Sequence, residues 1–193
     1  MKRVCVFAGS NTGSKPEYKE AAIKLGRELV KNKLELVYGG SKIGLMGVIA
    51  NTVLDLGGRV TGVMPTNLFR GEVVHQHLTN FYEVKDMHER KAKMGELSDA
   101  FIALPGGYGT FEEIFEAVSW GQLGIHQKPV ALLNVEGYYS LLIQMIENAV
   151  EGGFMPENHK EFLIYESNPS ILLERLRSYK PPLKTNKWKE LDL

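Results

Sequence analysis

Residues 100–113 read AFIALPGGYGTFEE. An apolar, strand-like run enters a turn made of Pro105, Gly106 and Gly107, and a helical pattern follows that opens with Glu112 and Glu113. A strand that hands over to a helix through a glycine turn is the unit from which α/β sheets are wound. The free N–H groups at such a helix start attract anions, phosphate above all. Two carboxylates at an anion site therefore call for an explanation.

The same alternation extends in both directions. VCVFAG (4–9), LELVYGG (34–40), RVTGVMP (59–65), AFIALPG (100–106) and KPVALLN (128–134) read as strands, with FYEV (81–84) and FLIYE (162–166) as shorter ones. Apolar residues at helical spacing predict helices over 18–30, 45–56, 87–98, 111–123, 138–151 and 171–179. Strands that are apolar throughout are buried on both faces, which implies a parallel sheet covered by helices. The expected fold is a doubly wound, Rossmann-like α/β sheet in a single domain over residues 1–180. Residues 181–193, which begin Pro181-Pro182, form a tail or a partner-docking arm. Ligands of such sheets bind at the carboxyl ends of the strands, where AGSNTGS, YGGSKIGLMG and LPGGYGT are rich in glycine.

Bulk properties narrow the function classes. Basic and acidic residues balance at 23 each among 193 residues, so no global field favours a nucleic-acid polymer or an anionic membrane. Cys5 is the only cysteine, which excludes a disulfide framework and suits a reducing compartment. No apolar run is long enough for a signal peptide or a membrane span, so a cytoplasmic protein is expected.

Each motif carries two readings. The glycine turns depart from the dinucleotide fingerprint, because Glu112 stands where the third glycine belongs and VYGG ends the second strand without an acid. A single phosphate or a mononucleotide remains. Thr110-x-x-Glu113 has capping-box spacing, in which Glu113 returns to the N–H of the cap and Glu112 complements the helix dipole. Capping does not explain Pro105 and three glycines just before it, a density that suggests close approach from outside. On the helix of DMHERKAKMGELSD (86–99), Arg90 lies in a stripe with Met87, Met94 and Leu97, and Lys91 borders it. An arginine in an apolar stripe must find an anion: a carboxylate of a neighbouring helix, or a ligand phosphate. His75-x-His77 can share a strand face, but a catalytic metal needs a third ligand and none is evident nearby, so no metal is expected. Glu72 lies in a long polar loop, where binding loops and lids are common.

Taken together, PGGYGTFEE, MHERKAK, YGGSKIGLMG and WGQLGIHQKP resemble the Lonely Guy family of cytokinin riboside 5′-monophosphate phosphoribohydrolases, whose signature is P-G-G-x-G-T-x-x-E. Pro105, Gly106, Gly107, Gly109, Thr110 and Glu113 match that signature without departure. The resemblance implies hydrolysis of the N-glycosidic bond of a purine nucleoside 5′-monophosphate, without a cofactor, to the free base and ribose 5-phosphate. It makes Arg90 and Glu113 the catalytic pair, with Lys91 beside the arginine. Gly106, Gly107, Gly109 and Thr110 become the phosphate loop, with Glu112 alongside. Glu72, Ser119, Gly40 and Ser41 complete the expected substrate contacts. It also implies a homodimer with sites near the interface, for which residues 120–126 are suited. In this chemistry Arg90 is expected to keep Glu113 ionised. Two alternatives stand beside it: a nucleotide carrier without turnover, and a lysine decarboxylase-like enzyme, which would want pyridoxal phosphate on a lysine that nothing here marks out.

Overall fold

The computed structural model of the chain describes residues 1–66 and 74–182. Seven parallel strands form one sheet: β1 (Arg3–Phe7), β2 (Glu35–Tyr38), β3 (Val60–Pro65), β4 (Asn80–Val84), β5 (Ala100–Ala103), β6 (Val130–Leu133) and β7 (Leu163–Glu166), in the order β4-β3-β2-β1-β5-β6-β7. β1 pairs on one side with β2, Val4 opposite Leu36, and on the other with β5, Val4 opposite Ala100. The winding direction reverses between β1 and β5, so the crevice for a ligand opens where their carboxyl ends part. This is the Rossmann-like sheet expected from the sequence.

Glycine or proline closely follows β1, β2 and β5, and the strands are buried because both faces of the sheet are covered. α1 (Pro16–Lys31), α2 (Gly44–Asp55) and α6 (Pro169–Ser178) pack Ala22, Leu25, Ile49 and Leu172 against Val4, Leu36 and Ile102. α3 (Met87–Leu97), α4 (Tyr108–Leu123) and α5 (Ser140–Glu151) cover the other face, where Met94, Ile114 and Tyr139 meet Cys5, Phe101 and Leu132. Odd and even positions of each strand feed the two cores, as the two-residue period requires. α1 and α2 pack closely because Gly26 has no side chain: a Cβ there would lie 2.9 Å from Thr52. Edge strand β4 is exposed at four of its five residues, which accounts for its weak apolar signal.

The start of α4 differs from the capping expected from the sequence. α4 begins at Tyr108, capped by Gly107 in extended conformation, because the Gly107 carbonyl already accepts the N–H of Phe111 at 3.0 Å. Thr110 therefore stands inside the first turn, and the capping box expected from Thr110 and Glu113 does not form. Box-like capping occurs on α3 instead. Asp86 accepts the N–H groups of His88 and Glu89 at 3.0 and 2.9 Å, and Glu89 accepts the N–H of Lys85 at 2.7 Å. That anchoring fixes the helix turn carrying Arg90. Of the expected tail, only Pro181 and Pro182 are described.

Candidate active site

The glycine turn 104–107 lies at the switch point. Its N–H side belongs to α4, whose first-turn N–H groups have no acceptor inside the helix. Its carbonyl side is tied back to the protein, the Pro105 oxygen accepting the Gly9 N–H at 3.0 Å. Gly106 is required by packing, since a Cβ would meet the Thr110 hydroxyl at 2.1 Å and the Gly9 nitrogen at 2.9 Å. Gly107 and Gly109 are different. Neither has positive φ, and a Cβ on either would enter open space. The packing alone does not ask for glycine at either position: Gly107 is the cap, where Ser, Thr, Asp or Asn serve as well, and Gly109 is the second residue of the helix. Bare backbone facing open space at a helix start suits an anion. A cleft of about 320 Å³ opens on the α1 side of this turn, bordered by Gly9, Asn11, Tyr18, Gly106, Gly107 and Tyr138. Two larger depressions lie elsewhere, one beside β7 and one at the amino ends of the strands, away from the switch point.

On the α3–α4 side of the same turn, Arg90 meets Glu113 at 3.5 Å, with both side chains about nine-tenths buried. Arg90 is held from three directions. Its Nε donates to the Val63 carbonyl at 3.1 Å, its Nη1 approaches the Met87 sulfur at 3.7 Å, and its Nη2 lies flat against Gly39, where a Cβ would be only 1.8 Å away. Gly39 is thus the residue that lets the guanidinium reach the strand ends. Gly39 is not among the site residues expected from the sequence, which are its neighbours Gly40 and Ser41, although its position in VYGG is the available signal.

Glu113 departs from expectation in its charge. Its pKa is raised to about 7, because burial outweighs the attraction of Arg90, and the carboxylates of Glu112 and Glu116 add to the rise. A contact of 3.5 Å is long for a charge-assisted hydrogen bond. The expectation that Arg90 would hold Glu113 ionised is therefore corrected: near neutral pH the acid is poised between its two forms. Rise along an α-helix is 1.5 Å per residue, so Glu113 stands about 8 Å along the axis from Tyr108 at the helix start.

The other expected site residues divide. Lys91 turns from the cleft and bridges α3 to α4, contacting Glu112 and, at 2.7 Å, Glu116. Glu112 is engaged in that tie and half-exposed. Gly40, in left-handed conformation, and buried Ser41 follow Gly39 at the end of β2. Ser41 forms an isolated bridge with Val74, and the Gly40 carbonyl accepts the N–H of His75 at 2.9 Å, so the chain returning at Val74 runs along this rim. Glu72 lies outside the described residues. Ser119 is exposed on α4 in an outer stripe with Tyr108, Phe115 and Leu123, away from Glu113. Of the histidine pair, His75 shares its Nε2 with the Asn51 side chain at 2.8 Å and accepts the His77 N–H at its Nδ1. Among the described residues no three ligating side chains come together.

Sheet, switch point and glycine-rich helix start define the class: a Rossmann-like α/β protein in which a glycine turn opens the helix that carries one member of a buried arginine–glutamate pair. Residues 46–176 match the family described as "Possible lysine decarboxylase". A probable cytokinin riboside 5′-monophosphate phosphoribohydrolase of Oryza sativa subsp. japonica is 49% identical over 94% of this chain and 80% of its own length. A cytokinin riboside 5′-monophosphate phosphoribohydrolase of Arabidopsis thaliana is 47% identical over 100% of this chain and 90% of its own. The chain belongs to this family. Among solved structures, the molybdenum cofactor carrier protein of Chlamydomonas reinhardtii superposes with a TM-score of 0.67 over 92% of this chain and 99% of its own, at 16% identity, which is a likeness of fold.

Proposed function

We propose that the protein hydrolyses the N-glycosidic bond of purine nucleoside 5′-monophosphates, AMP or its N6-substituted cytokinin-type forms, to the free base and ribose 5-phosphate. The observation that carries this is the Arg90–Glu113 pair, buried on the helix whose start holds Gly107 and Gly109, two glycines that packing does not require. Cleavage builds positive charge at C1′ of the ribose. N–H groups of Gly107, Gly109 and Thr110 take the phosphate and fix the sugar. The ionised Glu113 stabilises the cationic carbon and removes a proton from the attacking water, whose hydroxyl forms the new bond to C1′. The base leaves with the electrons of the broken C–N bond and acquires a proton. A base with pKa near 7 combines an ionised fraction with driving force for proton transfer at neutral pH. Arg90 holds the carboxylate in place and biases it toward ionisation.

Family membership at close to half identity supports this reading over a carrier without turnover. The decarboxylase reading lacks support at the site, since Lys91, the lysine adjoining the pair, is engaged by two carboxylates. A homodimer is part of the proposal. α5 has no fully buried residue, and Leu141 and Met145 are exposed at 81% and 71%, as are Phe115, Leu123 and Ile125 of the α4 region at 42%, 67% and 64%. Ser119 sits within that apolar α4 stripe and would meet a nucleotide across the dimer contact. A cytoplasmic location belongs to the same proposal. Incubation with AMP, with N6-isopentenyl-AMP and with lysine, assayed for free base and carbon dioxide, separates the readings. Base release is expected; carbon dioxide from lysine, or neither product, would overturn the proposal.

A further inference from the structure

The turn that follows β6 reaches across to the phosphate loop. Three consecutive carbonyls of that loop each receive a donor: Leu104 from the Tyr139 hydroxyl at 2.7 Å, Pro105 from the Gly9 N–H at 3.0 Å, and Gly106 from the Tyr138 hydroxyl at 2.5 Å. Two adjacent tyrosines thus grip residues 35 and 32 positions away in the chain. The turn bearing them is itself held. The Asn134 side chain accepts the Tyr139 N–H at 2.7 Å, the Asn134 N–H donates to the Glu166 carbonyl at 2.8 Å, and Glu136 and Gly137 both adopt left-handed φ. Left-handed backbone at a glutamate persists only where its surroundings impose it. Tyr138 also packs edge-on against Tyr18 and Tyr139, at 5.7 and 4.9 Å between ring centres.

We propose that Tyr138 and Tyr139 are positioning residues that preorganise the anion site, by drawing the carbonyls of Leu104 and Gly106 away from the space the phosphate takes. In a planar trans peptide the carbonyl and the following N–H point in opposite directions. Pinning the Gly106 oxygen on the tyrosine side therefore aims the Gly107 N–H the other way. An unpinned carbonyl at the same place would turn a negative dipole toward the anion. Tyr139 does this from the buried core, and Tyr138, at 37% exposed, from the wall of the cleft. The role rests on the nucleoside monophosphate reading above, yet its test uses the phosphate alone.

Ribose 5-phosphate is titrated calorimetrically into wild type and Tyr138→Phe, and KM and kcat are measured with AMP. Loss of one such hydrogen bond is expected to raise the Kd for ribose 5-phosphate and the KM for AMP about tenfold. The change in kcat should stay within about twofold, and the affinity for phosphate-free adenosine should be unchanged. A residue that merely braced the fold would weaken all three ligands alike or none. Tyr139→Phe is expected to raise the same Kd while also lowering Tm, since it strands the buried Leu104 carbonyl. Unchanged Kd for ribose 5-phosphate in Tyr138→Phe, or an equal loss of adenosine affinity, overturns the inference. If wild type binds ribose 5-phosphate but turns over no nucleotide, the functional proposal fails while the tyrosine clamp is still decided by the Kd.

Discussion

Glu113→Gln changes one oxygen for an NH₂ group, and its effect on stability depends on pH in a direction the site fixes. In the folded protein the Glu113 pKa lies at about 7, against 4.5 for the ordinary side chain. The folded state therefore holds the proton more tightly than the unfolded state does. That contribution is fully present below pH 4.5, declines as pH rises through about 7, and is gone above it. At 1.36 kcal/mol per pKa unit the shift corresponds to about 3 kcal/mol. Glutamine does not titrate and carries no such dependence, although it forgoes the attraction of Arg90 at every pH. The constant offset between the two proteins is thus not the readout; its change with pH is. Urea unfolding of both proteins at pH 5 and pH 8, at one protein concentration and without ligand, measures it. Going from pH 5 to pH 8, the variant should gain roughly 2–3 kcal/mol relative to wild type. Parallel pH profiles would refute the burial argument. A relative gain by wild type would mean that Arg90 dominates and Glu113 is ionised throughout.

The same poise sets a kinetic expectation: kcat/KM for AMP should fall with unit slope as pH drops below about 7, and a limb near 4 would place the ionisation elsewhere. Gly39→Ala inserts a methyl group 1.8 Å from the Arg90 guanidinium, so turnover should fall at least about 100-fold, the scale for displaced catalytic geometry; wild-type kcat would show that Arg90 need not lie where it does. Gly106 and Gly107 of the loop should separate. Gly106→Ala meets backbone and should lower stability by about 2 kcal/mol or more, measured by urea unfolding. Gly107→Ala enters open space and should cost at most about 1 kcal/mol while raising KM for AMP; a KM equal to wild type would remove Gly107 from the phosphate site.

Much of this was legible before the fold was seen. β5 and β6 are apolar throughout, and β1, β2 and β3 are apolar but for Arg3, Glu35 and Thr61, a pattern that a doubly covered parallel sheet buries. Arg90 and Glu113 could be singled out because a charge within an apolar stripe and an acid beside a glycine turn both conflict with their surroundings. The pKa of Glu113 was not legible, since it depends on how completely the folded chain encloses one carboxyl group. Nor was the start of α4: spacing offered Thr110 as the cap, but the Gly107 carbonyl closes the first helical bond three residues earlier. Gly39 resembles its neighbour Gly40 in sequence, and only the position of Arg90 tells them apart. Tyr138 and Tyr139 act over more than thirty residues of chain, where no local pattern reports a contact.

Glu113 is proposed to perform chemistry as well as to fill its place beside Arg90. Adenine release from AMP, followed chromatographically with wild type and Glu113→Gln at pH 8, tests it most directly. Wild type is expected to release adenine steadily, and the variant to lose at least about 1,000-fold in kcat while still binding ribose 5-phosphate. Wild-type turnover by Glu113→Gln would contradict it.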